Sequence, residues 1–293
     1  MPSRSALRLD GAACLVTGAG QGIGLATARH LAARGGRVAI VDVDGERAAA
    51  AAASLPGEAV GIGADVRDRD AMAGAVERVV SEFGGLDVVV ANAGVTPSRA
   101  TLGLLDPDEF DRVIAINLTG VFNTVHPAVP HVIASGGHMV VVASVAAMMP
   151  GPMGSPYMIS KAGVEQLGRS LRLELGPRGA SAGVAYFGVV DTEMTHVTMD
   201  GDPIAAMLRD RMPPPLRRRI TPDDAGRVIA DGVERRAPRT LAPKPWWAVA
   251  ILRGVLPWLL DDVVARDDAM ADLVRRSDAE AAPAAPNVTS VRS

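Results

Sequence analysis

Residues 15–35, LVTGAGQGIGLATARHLAARG, decide the fold. A short apolar run ends at Thr17, a turn carrying Gly18, Gly22 and Gly24 follows, and an amphipathic stretch with helical spacing begins within it. Glycines at a strand-to-helix turn let the backbone approach a phosphate, and the helix N-terminus adds unpaired N–H groups and a positive dipole end. The spacing is Gly-x-x-x-Gly-x-Gly, which taken alone also suits an ordinary tight connection.

Outward from this turn, short apolar runs alternate with amphipathic stretches. AACLVTG, RVAIVD, EAVGIGAD, LDVVVANAG, GHMVVVAS and SAGVAYFG read as strands, with helices near 23–34, 44–54, 68–83, 107–134 and 157–176 between them. Apolar runs without polar alternation imply strands covered on both faces. The expected fold is therefore α/β: a Rossmann-like, doubly wound parallel sheet flanked by helices on both faces, with ligands at the carboxyl ends of the strands. Residues 187–220 lose regular patterning and collect Gly, Pro and Met, which reads as a substrate loop or lid. TPDDAGRVIADGVERR then opens a helix with Thr221 as N-cap and Pro222 at the first helical position, and TLAP reads as a last strand. A single domain over 1–243 with an extension over 244–293 is expected.

With 293 residues and 48% hydrophobic content the chain can bury one large core. A net charge of −3 offers no basic field for nucleic acid. The run Arg217 to Arg219, after three prolines, reads as a solvated hinge. Cys14 is the single cysteine, so no internal disulfide or cysteine metal cluster is expected, which fits a reducing, cytoplasmic setting. The five histidines lack metal-ligand spacing and no metal is expected. MPSRSALRLDG has no apolar core of a secretory signal.

The chain holds only two tyrosines and two lysines, yet Tyr157 and Lys161 stand four apart in SPYMISKAG. On a helix they share a face, where an ammonium would lower a phenol pKa from about 10 toward the range of acid–base work. An exposed helix pair with no role is the alternative. Asp42 ends the second strand, 18 residues beyond Gly24, where its carboxylate can accept from both adenosine ribose hydroxyls and repel a 2′-phosphate. Neither Gln21 nor Val43 is a compensating cation, so NAD is expected over NADP.

TGAGQGIG at 17–24, Asp65-Val66 after the third strand, NAG at 92–94, and Asn117, Ser144, Tyr157 and Lys161 together identify a resemblance. The chain resembles the short-chain dehydrogenase/reductases over roughly residues 7–243. The resemblance implies that Gly18, Gly22, Ile23 and Gly24 line the pyrophosphate, with Gln21 and Tyr157 also in the cofactor site, Asp42 holds the ribose, and Asp65 and Val66 flank the adenine. Asn92 and Gly94 would back the cofactor, and Val190 and Thr192 would meet the nicotinamide carboxamide. It further implies Asn117, Ser144, Tyr157 and Lys161 as a catalytic tetrad, with Tyr157 as acid/base, Ser144 on the reacting oxygen, Lys161 on the ribose and Asn117 holding a water.

The implied activity is NAD-dependent interconversion of a secondary alcohol and a ketone by a homodimer or homotetramer. A cofactor-retaining epimerase or dehydratase and a non-catalytic NAD sensor are the alternatives. Phe187-Gly188 stands where the family has Pro-Gly, so a more mobile loop or an aromatic wall near the nicotinamide is expected.

Eight of the twelve methionines fall between Met148 and Met212, and flexible thioethers line adaptable pockets, so the substrate reads as an apolar alcohol or ketone. The same residues also suit plain core filling. PKPWWAVAILRGVLPWLLDD carries all three tryptophans but is too short and interrupted to cross a bilayer. Packing on the domain or a neighbouring subunit, over the active-site mouth, is favoured over a membrane-surface placement. SDAEAAPAAPNVTSVRS, 277–293, reads as disordered.

Overall fold

The computed structural model describes residues 5–149, 151–254 and 266–281. Seven strands, β1 (Ala13–Thr17), β2 (Arg37–Asp42), β3 (Ala59–Gly63), β4 (Val88–Ala91), β5 (His138–Val142), β6 (Ser181–Phe187) and β7 (Arg239–Ala242), form one sheet in the order β3-β2-β1-β4-β5-β6-β7. Every pairing is parallel. The helices are α1 (Gly22–Ala32), α2 (Gly45–Ala53), α3 (Arg69–Phe83), α4 (Pro107–Ile114), α5 (Gly120–Ala134), α6 (Ser155–Leu175), α7 (Glu193–Thr195), α8 (Pro203–Arg211), α9 (Pro222–Glu234), α10 (Trp246–Leu252) and α11 (Asp268–Ala281).

Alternation along β1 shows why the apolar runs lack polar positions. Ala13 and Leu15 enter a core shared with Met72 and Val76 of α3, Val125 of α5 and Val164 of α6. Cys14 and Val16 face the opposite core, with Ala28 and Leu31 of α1, Ala48 of α2 and Ile229 of α9. Both faces of the strand are thus dry, and each fully buried aliphatic side chain contributes about 1.5–3 kcal/mol. α1 and α9 approach so closely that a Cβ on Gly226 would lie 2.5 Å from the Ala26 carbonyl carbon. α9 begins as its sequence predicts: Thr221 Oγ1 accepts from Asp224 N, the Asp224 carboxylate reaches back to Thr221 N, and Pro222 opens the first turn.

Three segments differ from their sequence reading. The helix expected over 107–134 is interrupted by a π turn, Ala115–Thr119, which brings Asn117 fully inside. The stretch 187–220 is not irregular throughout: Asp202 accepts from Ile204 N and Ala205 N, Pro203 follows, and this start signal launches α8. Residues 277–281 are helical rather than disordered, because Asp267 caps α11 by accepting from Met270 N at 2.8 Å and Leu273 is buried.

In the extension, Trp246 joins the core and its indole N–H donates to Leu216 O at 3.0 Å, while Arg253 pairs with the buried Glu165 on α6. Trp258 and the tail beyond 281 lie outside the described residues. Among the described residues no helix is long and apolar enough to cross a membrane.

Candidate active site

The glycine turn joins β1 to α1 with Gly18 at φ 60° and Gly22 at φ 58°, a region that favours glycine. A Cβ on Gly24 would lie 2.3 Å from Gly18 O, and one on Gly18 would lie 2.7 Å from Ala93 Cα, so both are packed against backbone. Gly22 differs. A Cβ there would find nothing nearer than Thr192 Cγ2 at 3.8 Å, so an open cradle lies between the turn and the segment after β6. Gln21, the N-cap of α1, makes no side-chain cap, and the first turn has no acidic residue. The uncapped N–H groups and small side chains of this cradle fit a pyrophosphate. Ile23, on the same turn, packs against the core of α1 and α9.

Asn92 fastens the turn to β4: its Nδ2 donates to Thr17 O at 3.0 Å and Gly18 O at 3.1 Å. Asp42 Oδ2 accepts from Gly20 N at 2.9 Å and Oδ1 from Asp44 N at 3.2 Å, which fixes the carboxylate at the strand end. Arg47, absent from the sequence reading, passes beside it, its Cδ 2.8 Å from where a Gly20 Cβ would stand, and pairs with Asp44. It lies five residues past Asp42, and only the turn of α2 brings it back.

Asp65 is held by Arg67, whose guanidinium keeps the carboxyl below its ordinary range. Val66 is buried, with its carbonyl accepting from Asn123 Nδ2 at 2.9 Å. Val190 is buried and bridges to Ile220, and Thr192 Oγ1 caps α7.

The four tetrad candidates come from β5, α6 and the π turn. Ser144, just past β5, donates to Phe187 O at 3.3 Å and accepts from Ala146 N at 3.1 Å. Tyr157 lies on the first turn of α6, half-buried, with Ser144 beside its hydroxyl. One turn later, Lys161 Nζ donates to Val142 O at 2.9 Å and stands 5.7 Å from the centre of the Tyr157 ring. Asn117 Nδ2 donates to Val95 O at 2.8 Å and Ser160 Oγ at 3.1 Å, and its Oδ1 accepts from Val95 N at 2.7 Å. A Cβ on Gly94 would lie 3.3 Å from both Asn117 Oδ1 and Lys161 Nζ, so those two atoms border one spot.

The electrostatics reverse one expectation. Burial raises the Tyr157 phenol above its ordinary value, with the Ser144 hydrogen bond pulling the other way, and the Lys161 ammonium is pushed down to about 8 by burial. The i, i+4 spacing suggested a phenol lowered by its neighbour. In the folded chain desolvation is the largest influence on the phenol, and Lys161 Nζ gives a hydrogen bond to Val142 O. Phe187 also departs from expectation. Its side chain is buried in the core shared with α1 and α9, so it forms no wall toward the cradle, and Gly188 N is anchored to Ala242 O at 2.9 Å.

The profile of the short chain dehydrogenase family matches residues 12–202. The chain belongs to this family. Among relatives of this short-chain dehydrogenase, the cis-4-hydroxycyclohexanecarboxylate dehydrogenase of Sinomonas cyclohexanicum is 36% identical over 219 residues, 74% of this chain and 86% of the relative. The 3-ketoacyl-(acyl-carrier-protein) reductase of Brucella melitensis, solved with NADH, is similar in structure with a TM-score of 0.71 and 28% identity, covering 80% of this chain and 97% of that one. A short chain dehydrogenase of Burkholderia cenocepacia, solved with NADP, has a TM-score of 0.69 and 32% identity over the same shares.

Proposed function

We propose that this short-chain dehydrogenase interconverts a secondary alcohol and a ketone, with NAD as the hydride carrier and Tyr157 as the acid/base. The observation that carries the reading is the meeting of Ser144, Tyr157 and Lys161 beside the open cradle of the glycine turn. When bound, the nicotinamide supplies the hydride acceptor or donor. Gly18, Gln21, Gly22, Ile23 and Gly24 would hold its pyrophosphate, and Asp42 the adenosine ribose. Asp65 and Val66 would flank the adenine, Asn92 and Gly94 would back the cofactor, and Val190 and Thr192 would meet the carboxamide.

Oxidation of an alcohol removes a hydride and a proton, so the protein must take up the proton. Tyr157 Oη, as phenolate, takes it from the substrate hydroxyl, leaving the phenol that burial favours, and as phenol returns it to the carbonyl oxygen in reduction. Ser144 Oγ, beside that phenol, holds the same substrate oxygen. Lys161, with its affinity for a proton reduced by burial, passes that proton on toward solvent and binds the nicotinamide ribose. Asn117 Oδ1 keeps one acceptor site beside the spot that Lys161 Nζ borders, and a water there completes the way to solvent.

Asp42 supports NAD over NADP, since its carboxylate would face a 2′-phosphate while the charge of Arg47 is met by Asp44. The methionines of 148–212 support an apolar substrate. Residues 1–243 form the catalytic domain in this reading and 244–293 an extension, in a cytoplasmic homodimer or homotetramer.

The test is NADH formation from NAD and secondary alcohols graded from 2-butanol to polycyclic alcohols. NADH accumulating with substrate supports the reading. Substrate conversion without net NADH would instead mark a cofactor-retaining epimerase or dehydratase.

A further inference from the structure

We propose that the C-terminal helix α11 is a wall of the substrate site, in which Leu273 limits the size of the alcohol or ketone that can reach Tyr157. The inference rests on the hydride-transfer reading of that site. Leu273 is buried in a small apolar cluster with Met153 and Ile204, against which Leu208 packs, separate from the two cores of the sheet. The members come from three segments of the chain. Met153 belongs to the loop before α6, held at φ 62°, and the next residue, Gly154, accepts the Tyr157 N–H at 3.1 Å. Ile204 and Leu208 belong to α8, within the segment that leaves β6 past Thr192 at the rim of the cradle. Leu273 is the contribution of the extension.

Ion pairs hold α11 in place at both ends. Arg211, at the end of α8, donates to both carboxylate oxygens of Asp267 at 2.6 Å. At the other end Arg99, on the loop after β4, pairs with Asp202 at the start of α8 and with Glu280 near the end of α11, each at 2.5 Å. Thr101 on the same loop donates to Asp278 at 2.5 Å. The two helices therefore run antiparallel, clamped to the loop between β4 and α4. One turn beyond Leu273 on the same face, Ser277 Oγ is buried with no hydrogen-bond partner among the described residues, which costs free energy in the docked state. Among the described residues, docking is carried by Leu273, the Thr101–Asp278 hydrogen bond and partly exposed ion pairs.

The test compares cyclohexanone with 4-tert-butylcyclohexanone, using NADH and full-length wild type, Leu273→Ala and Glu280→Gln. Leu273→Ala is expected to raise the bulky-to-small ratio of kcat/KM about tenfold, through KM. Glu280→Gln, which loosens the clamp without touching the wall, is expected to move the same ratio in the same direction by about threefold. If wild type turns over neither ketone, the proposed activity fails, and quenching of bound NADH fluorescence by the same two ketones judges the wall instead. A bulky-to-small ratio left within twofold by Leu273→Ala, in turnover or in binding, overturns the proposal.

Discussion

Lys161 Nζ lies 5.7 Å from the centre of the Tyr157 ring and gives a hydrogen bond to the Val142 carbonyl at 2.9 Å, so the ammonium faces the ring and the end of β5. Burial pushes Lys161 down to about 8 from an ordinary 10.5. Between those values the unfolded chain holds a proton that the folded chain does not, so stability rises as pH rises from about 8 to 10.5. The gain across that window is on the order of 3 kcal/mol. Urea unfolding at pH 8 and 10 should show the rise in the cofactor-free protein, and Lys161→Met should flatten it.

His138 gives the same sign in an acid window. It is fully buried on β5 with Nδ1 against Ser181 Oγ at 2.8 Å, and burial, then Arg236 and Arg172, push it down to about 3. As pH falls from about 6.5 to 3 the unfolded state gains a proton that the native state refuses, so stability is lost at about 1.4 kcal/mol per pH unit. His138→Gln should reduce that acid slope by about one proton in unfolding titrations.

Asp42 is expected to decide the cofactor. Asp42→Ala removes the carboxylate that Gly20 N donates to and should raise the KM for NAD at least about tenfold while improving the NADP-to-NAD ratio of kcat/KM. Initial rates with both cofactors read this. A ratio that stays where it was would remove Asp42 from the specificity.

Gly22 separates the cradle from the scaffold around it. Gly22→Ala places a Cβ in open space at φ 58°, costing about 1 kcal/mol of stability and narrowing the cradle. The expected result is a folded protein whose Kd for NADH rises about tenfold or more by fluorescence titration. Unchanged binding would place the pyrophosphate elsewhere.

The strands and the tetrad spacing were legible because short-range pattern encodes them: the dry run of β1, the start of α9 at Thr221-Pro222, and the paired Tyr157 and Lys161 one helical turn apart. What stayed hidden depends on distance in sequence. The π turn that buries Asn117 is paired with Val95, and no periodicity in 107–134 announces it. Arg47 reaches Gly20 only through the turn of α2, and Arg99 meets Glu280 across 181 residues. The rise of the Tyr157 phenol follows from tertiary burial, which i, i+4 spacing does not carry. Phe187, read as a pocket residue, faces the core because alternation along β6 turns its side chain toward α1 and α9.

Hydride transfer in Tyr157→Phe tests the central claim most directly. With saturating NAD and the best alcohol of the panel, NADH formation followed by stopped flow should fall by about a thousandfold, while the Kd for NADH stays within twofold of wild type. Transfer within tenfold of wild type, at unchanged NADH affinity, would contradict Tyr157 as the acid/base.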